Sequence, residues 1–132
     1  MIYKGDIAVD DRGQVTFVND FNFEDVKRFY MVENHSKGFI RAWHGHRKEG
    51  KYVFVVSGAI KLIVVRMDNH RIEKHHVLSA SKPQVLWIPA NRYNGFKTLT
   101  DDAKVIFYST ATLEESEGDD ARLSSDKWSE LW

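Results

Sequence analysis

Apolar and polar residues alternate with a period of two along most of the chain, as in strands buried on one face. The clearest run is Ala103 to Thr110, where Val105, Phe107 and Ser109 share one side and Lys104, Ile106 and Tyr108 the other. Gln14 to Val18, Val26 to Val32, Phe39 to His46, Lys51 to Ser57, Ala59 to Arg66, Ile72 to Leu78 and Val85 to Ile88 also read as strands. Gly58 separates two of these runs as a hairpin turn. Asp10-Asp11-Arg12-Gly13 and Asp68-Asn69-His70 are further turn signals. Asn19 to Glu24, Glu33 to Gly38 and Ala90 to Gly95 read as loops. Residues 114–127 are charged and Ser-rich, an arm or a short helix, and Trp128 to Trp132 ends apolar and is expected to dock. Eight short strands at regular spacing, with no long helical period, predict an all-β sandwich or barrel.

The 132 residues suit one domain, 1–132, with residues 114–132 as a C-terminal arm. Lys plus Arg equals Asp plus Glu at 19 each, so the basic footprint of a general nucleic-acid binder is missing. Cysteine is absent, which removes disulfides, thiolate ligands and a Cys nucleophile. No apolar stretch approaches the roughly 18 residues of a membrane span, and the first residues carry no apolar signal region. The expectation is a soluble cytoplasmic protein with no membrane partner.

Against this background Arg41-Ala42-Trp43-His44-Gly45-His46-Arg47 stands out. In a strand, His44 and His46 project to one face and Trp43 and Gly45 to the other. Two imidazoles on one face make a metal half-site or an acid/base pair. A metal would need further ligands. Glu49 follows His46 with two residues between, and Asn94 stands where a second-motif His would be wanted, a poor ligand set. The reading therefore assigns no metal and no cofactor.

Several segments carry a resemblance. Asp11-Arg12-Gly13 followed by Phe17 resembles a D-x-R-G segment. Asn34-His35-Ser36 resembles an N-H-S loop, Gly50 to Gly58 a G-K-L-V-x-V-x-x-G strand, and Trp87-Ile88-Pro89 with Gly95-Phe96 an I-P-x-x-x-x-H-G-F segment. These belong to the dTDP-4-dehydrorhamnose 3,5-epimerases, in the nucleotide-sugar branch of the cupins. Val26-Lys27-Arg28-Phe29-Tyr30 and Arg41 to Arg47 resemble instead the I-K-R-x-Y and R-G-F-H-A-H-[RK] segments of the dTDP-4-keto-6-deoxyglucose 3,4-ketoisomerases. The resemblance spans about residues 10 to 110. It departs from the epimerases where Phe107 stands for their catalytic Tyr and Asn94 for their His, and no counterpart is evident for the C-terminal segment that supplies an Asp to their base.

The resemblance implies a cupin jelly-roll barrel and a metal-independent isomerase acting on a dTDP-linked 4-keto-6-deoxyhexose, as a 3,4-ketoisomerase or a 3-/5-epimerase. Both reactions take a proton from a carbon beside a ketone, which suits a group titrating near neutrality. His44 is the expected base and His46 a relay. Lys51 and Arg41 are candidates to stabilise the enolate, Arg12 to hold the diphosphate, and Tyr30 or Tyr108 to act as a supporting acid. Asn34, Ser36 and Asn94 are expected to touch substrate, and Trp43 or Phe17 to stack on the nucleotide base. A homodimer with N-terminal strand exchange would carry Arg12 into the neighbour's site. A non-catalytic sugar-nucleotide-binding cupin, or a metal-dependent cupin oxygenase, remains the alternative.

Overall fold

The computed structural model describes residues 1–132 and is built almost wholly of strands. In chain order these are β1 (Ile2–Lys4), β2 (Asp6–Asp10), β3 (Gly13–Phe17), β4 (Arg28–Glu33), β5 (Ile40–His46), β6 (Lys51–Ser57), β7 (Ala59–Arg66), β8 (Ile72–Ser79), β9 (Gln84–Ile88), β10 (Arg92–Thr98), β11 (Lys104–Ser109) and β12 (Asp120–Arg122). One short helix, α1 (Leu113–Glu117), and a 3-10 turn (Ser129–Leu131) lie near the C-terminus. Two five-stranded antiparallel sheets form, ordered β1-β9-β6-β11-β4 and β12-β5-β10-β7-β8. They face each other as the jelly-roll barrel expected from the sequence.

The alternating runs explain the core. Val53 and Val55 of β6 and Val105 and Phe107 of β11 face Ile60, Leu62 and Val64 of β7 and Phe96 of β10 across the sheets. The run Ile60-Lys61-Leu62-Ile63-Val64-Val65 is almost continuously apolar because β7 is covered on both faces. Its other side places Ile63 and Val65 beside Trp43 and Tyr93, a second cluster outside the barrel and under the C-terminal arm. At Gly58 the turn between β6 and β7 takes φ of +68°, which an L side chain rarely adopts.

Three elements depart from expectation. Residues 92–98, taken partly as loop, form the central strand β10, paired on both sides with β5 and β7. Gly95 masks the pattern. A Cβ there would fall against Ala42 and Trp43, so the strand needs a residue that reads as a breaker. Ile2–Lys4 is a strand on the edge of the first sheet. Asp6–Asp10 pairs with Gly13–Phe17 in a two-stranded sheet that joins neither large one.

The arm is ordered, and its acidic residues are not simply solvated. Thr112 caps α1 reciprocally with Glu115. Asp119 then accepts the backbone N–H groups of Arg47, Lys48 and Glu49 at 2.9, 2.8 and 3.1 Å. β12 adds to the edge of β5 with Asp120 opposite His46 and Arg122 opposite His44. Beyond it, Trp128 meets Trp43 edge-on and Trp132 stacks on it, both at 5.3 Å between ring centres. The Trp43 indole N–H donates to the Lys127 carbonyl at 2.8 Å.

Candidate active site

A cavity of about 410 Å³ opens between the β4 edge of the first sheet and the β5–β12 edge of the second. β5 contributes Arg41, His44 and His46, and β10 contributes Asn94 and Phe96. Arg28, Tyr30 and Lys51 come from β4 and β6, and Asp120 and Arg122 from β12. The two histidines project inward together, as their spacing requires, while Trp43 is fully buried on the opposite side of β5. Gly45 lies beneath the Tyr93 ring, where a Cβ would be 2.6 Å from Cδ1. Simple alternation would turn Arg41 outward. The pairing of β5 with β10 shifts register between Asn94 and Phe96, and Arg41 lines the cavity after all.

The imidazoles thus face Arg28 and Lys51 from the opposite sheet, while Arg41 and Arg122 share their own. Burial first, then the charges of Arg122 and Lys51, hold the His44 imidazole below its ordinary value, with Asp120 opposing. A neutral, half-exposed imidazole is a proton acceptor. His46 is only 6% exposed. Burial and Lys51 lower its titration, while Glu49, Asp119 and Asp120 pull the other way. The Asn94 amide donates to the His44 carbonyl at 3.3 Å and so ties β10 to the strand that carries His44.

Beneath this wall lies Glu49, 3% exposed. Its carboxylate accepts a hydrogen bond from the Ser109 hydroxyl at 2.7 Å. It also sits 3.1 Å from His46 Nε2, 3.5 Å from Lys51 Nζ and 3.3 Å from an Arg28 guanidinium nitrogen. Burial works to raise its pKa. The Ser109 hydrogen bond and the charges of Lys51 and His46 outweigh that, and the net shift is downward. The sequence had offered Glu49 only as a misplaced metal ligand. No group of three or more His, Asp or Glu side chains is arranged to hold a metal ion.

Six of the ten expected site residues line the cavity: His44, His46, Lys51, Arg41, Tyr30 and Asn94. Four do not. Tyr108 points to the outer face of its sheet among Phe21, Phe23 and Phe29, because it alternates with the inward Phe107. Burial there raises its pKa. Arg12 sits in the β2–β3 turn with a side chain 87% exposed and paired to Asp10 at 2.6 Å. Asn34 lies behind the wall, where its oxygen accepts from Arg41 Nε at 2.6 Å and so orients that guanidinium. Ser36 is exposed in the loop before β5 and meets Thr98 only through its backbone carbonyl. Nor can Trp43 stack on a nucleotide, since it is buried under the arm, and Phe17 ends the hairpin away from the cavity wall. The arm brings two carboxylates to the histidines: Asp119, 4.0 Å from His46 Nδ1, and Asp120, which lines the cavity and favours a charged His44.

The dTDP-4-dehydrorhamnose 3,5-epimerase family model matches residues 1–128. The chain belongs to this family. Among solved structures it is similar to an rmlC epimerase from Mycobacterium tuberculosis, at 18% identity and TM-score 0.79, over 95% of this chain and 68% of that one. A dTDP-4-dehydrorhamnose 3,5-epimerase from Sulfolobus tokodaii is 27% identical, with TM-score 0.77 over 95% of this chain and 77% of that one. QdtA, a sugar 3,4-ketoisomerase from Thermoanaerobacterium thermosaccharolyticum solved in complex with TDP, is 18% identical, with TM-score 0.73 over 99% and 92% of the two chains. No curated protein matches. The family's members are sugar-nucleotide isomerases, and the chain is an enzyme of that class.

Proposed function

We propose that the enzyme binds a dTDP-linked 4-keto-6-deoxyhexose in this cavity and that His44 removes a proton from the carbon beside the ketone, without a metal. The carrying observation is one cavity of suitable size with the imidazoles of His44 and His46 on one sheet and Lys51 and Tyr30 on the other. As the C–H bond breaks, its electron pair moves into the ring and the ketone oxygen gains negative charge. The Lys51 ammonium and the Arg41 guanidinium meet that charge from fixed positions. Return of the proton to the same carbon from the other face inverts it, with Tyr30 as the facing acid. Delivery to the old carbonyl carbon, with the C3 hydroxyl proton passing to the C4 oxygen, moves the ketone from C4 to C3 instead.

A second copy of the chain belongs to this reading. The β2–β3 hairpin pairs with no other strand of its chain, leaves Val9 and Val15 exposed at 73% and 63%, and carries Arg12 away from its own cavity. An isolated hairpin is marginal in water, so it gains stability by crossing to a partner, where Arg12 would meet the diphosphate. The setting is cytoplasmic deoxysugar synthesis for a polysaccharide or other glycan. The test is dTDP-4-keto-6-deoxyglucose in D₂O followed by NMR. Exchange at C3 with the carbonyl moving to C3 identifies a ketoisomerase, and exchange at C3 or C5 with the carbonyl left at C4 an epimerase. The absence of exchange at either carbon would refute the proposal.

A further inference from the structure

Glu49 does not line the cavity but lies buried against three residues that do, Arg28, His46 and Lys51, and it takes no part in the proton transfers above. It is the residue on which both walls converge. His46 belongs to the β5 sheet, whereas Lys51, Arg28 and Ser109 belong to or adjoin the other, and all four lie within 3.5 Å of its two oxygens. A carboxylate so deeply buried is costly unless each lone pair is matched. One oxygen is matched by Ser109 and Arg28. The other, Oε2, lies 3.1 Å from His46 Nε2 and 3.5 Å from Lys51 Nζ and makes no well-aligned hydrogen bond to either. His46 Nδ1 is likewise buried without a hydrogen bond, 4.0 Å from the Asp119 carboxylate.

We propose that Glu49 is the positioning residue of the site: one buried carboxylate that ties the Lys51 ammonium and the His46 ring together across the two sheets and keeps His46 able to carry a proton. The inference rests on the function proposed above for its kinetic consequence, but not for its electrostatic one. Four charged groups act on His46, Glu49 from the loop after β5, Lys51 from β6, and Asp119 and Asp120 from the arm, and the His44 ring shares its face of β5. Burial and Lys51 disfavour a charged His46. Of the three carboxylates that favour it, Glu49 is the nearest by almost 1 Å over Asp119. Removing its charge leaves Lys51 beside the ring with its counter-ion gone.

The test compares Glu49→Gln, which keeps the shape and the Ser109 contact, with Glu49→Asp, which keeps the charge. The titration of the His46 ring protons is followed by NMR, with His46→Gln used to assign the signal. In Glu49→Gln the midpoint should fall by about 1 pH unit, the size expected for loss of an adjacent opposite charge. Glu49→Asp should restore most of it. In D₂O exchange on the dTDP-sugar, Glu49→Gln should lower kcat about tenfold or more with KM within a few-fold, because the carboxylate touches the catalytic groups and not the ligand. A His46 midpoint unmoved in Glu49→Gln would overturn the proposal, as would a kcat loss equal in Gln and Asp. If the wild-type protein exchanges no substrate proton, the functional reading fails while the NMR titration still decides the role of Glu49.

Discussion

Replacing Trp43 by Ala should separate the barrel from the arm that completes its cavity. Trp43 is fully buried, with Ile63, Val65 and Tyr93 beneath it and Trp128, Leu131 and Trp132 above. A buried aromatic of its size removes about 150–250 Å² from water, which at roughly 25 cal/mol/Å² is about 4–6 kcal/mol. Its two aromatic contacts add about 0.5–1.5 kcal/mol each, and the hydrogen bond to Lys127 about 1 kcal/mol. Part of this returns as the arm relaxes and regains entropy. Measured losses for such truncations run about 3–5 kcal/mol, and we expect about 4. That is a large share of the ~5–15 kcal/mol stability of a domain. Trp132→Ala removes only the upper stacking partner, itself partly exposed, and should cost about 1–2 kcal/mol. Equilibrium urea unfolding of the two variants measures both. A Trp43→Ala loss under about 1 kcal/mol, or equal losses for the two variants, would refute the view that the arm is anchored through this one side chain. Turnover under folding conditions should fall in Trp132→Ala as well, since β12, which holds Asp120 and Arg122 at the cavity, belongs to the loosened segment.

Other expectations follow from the same geometry. His44→Asn should slow solvent exchange of the substrate proton by about 10²–10⁴-fold while calorimetric binding of the dTDP-sugar stays within a few-fold. Tyr108→Phe should leave turnover unchanged, because that hydroxyl lies on the outer face; a tenfold loss would restore it to the mechanism. His44 and His46 both titrate below their ordinary 6.5 in the folded chain. The unfolded chain therefore binds protons more readily below that value, so stability from these groups is complete above about 6.5 and declines as pH drops toward the lower folded values. Urea midpoints measured from pH 7.5 to 5 should fall accordingly, and a midpoint that rises on acidification would contradict the burial argument. Thr112→Ala should cost about 1 kcal/mol through loss of the reciprocal cap on α1, read as a lower unfolding midpoint.

Much of the barrel was legible because a half-buried strand writes its geometry into alternate residues. Val105, Phe107 and Ser109 face inward as the pattern demands, and the paired projection of His44 and His46 needed nothing more than a period of two. The failures also have physical causes. β10 hides behind Asn91, Asn94 and Gly95, residues that signal turns in isolation and here serve a close strand crossing and a hydrogen bond to β5. β12 is Asp-Ala-Arg, whose strand character comes wholly from pairing with β5 and from no propensity of its own. Arg41 reaches the cavity through a register shift that alternation cannot foresee. Tyr108 lies on the outer face by that same alternation, so its hydroxyl, however suited to acid chemistry, does not reach the cavity. Glu49 carried a faint signal, an acid two residues before the Lys that opens an apolar strand, but its neighbours come from residues 28, 46, 51 and 109, which only the fold brings together.

The stack of Trp43 against Trp132 carries an optical consequence. Three of the four tryptophans, at 43, 128 and 132, are gathered in one cluster, while Trp87 lies apart against Tyr52 at 4.5 Å on the other sheet. Indole rings 5.3 Å apart and inclined by 30° couple their electronic transitions. The cluster should therefore show a fluorescence emission and lifetime distinct from those of Trp87, and they should change whenever the arm lifts from β5. The protein carries a built-in reporter of whether its arm is docked on β5, readable without a label.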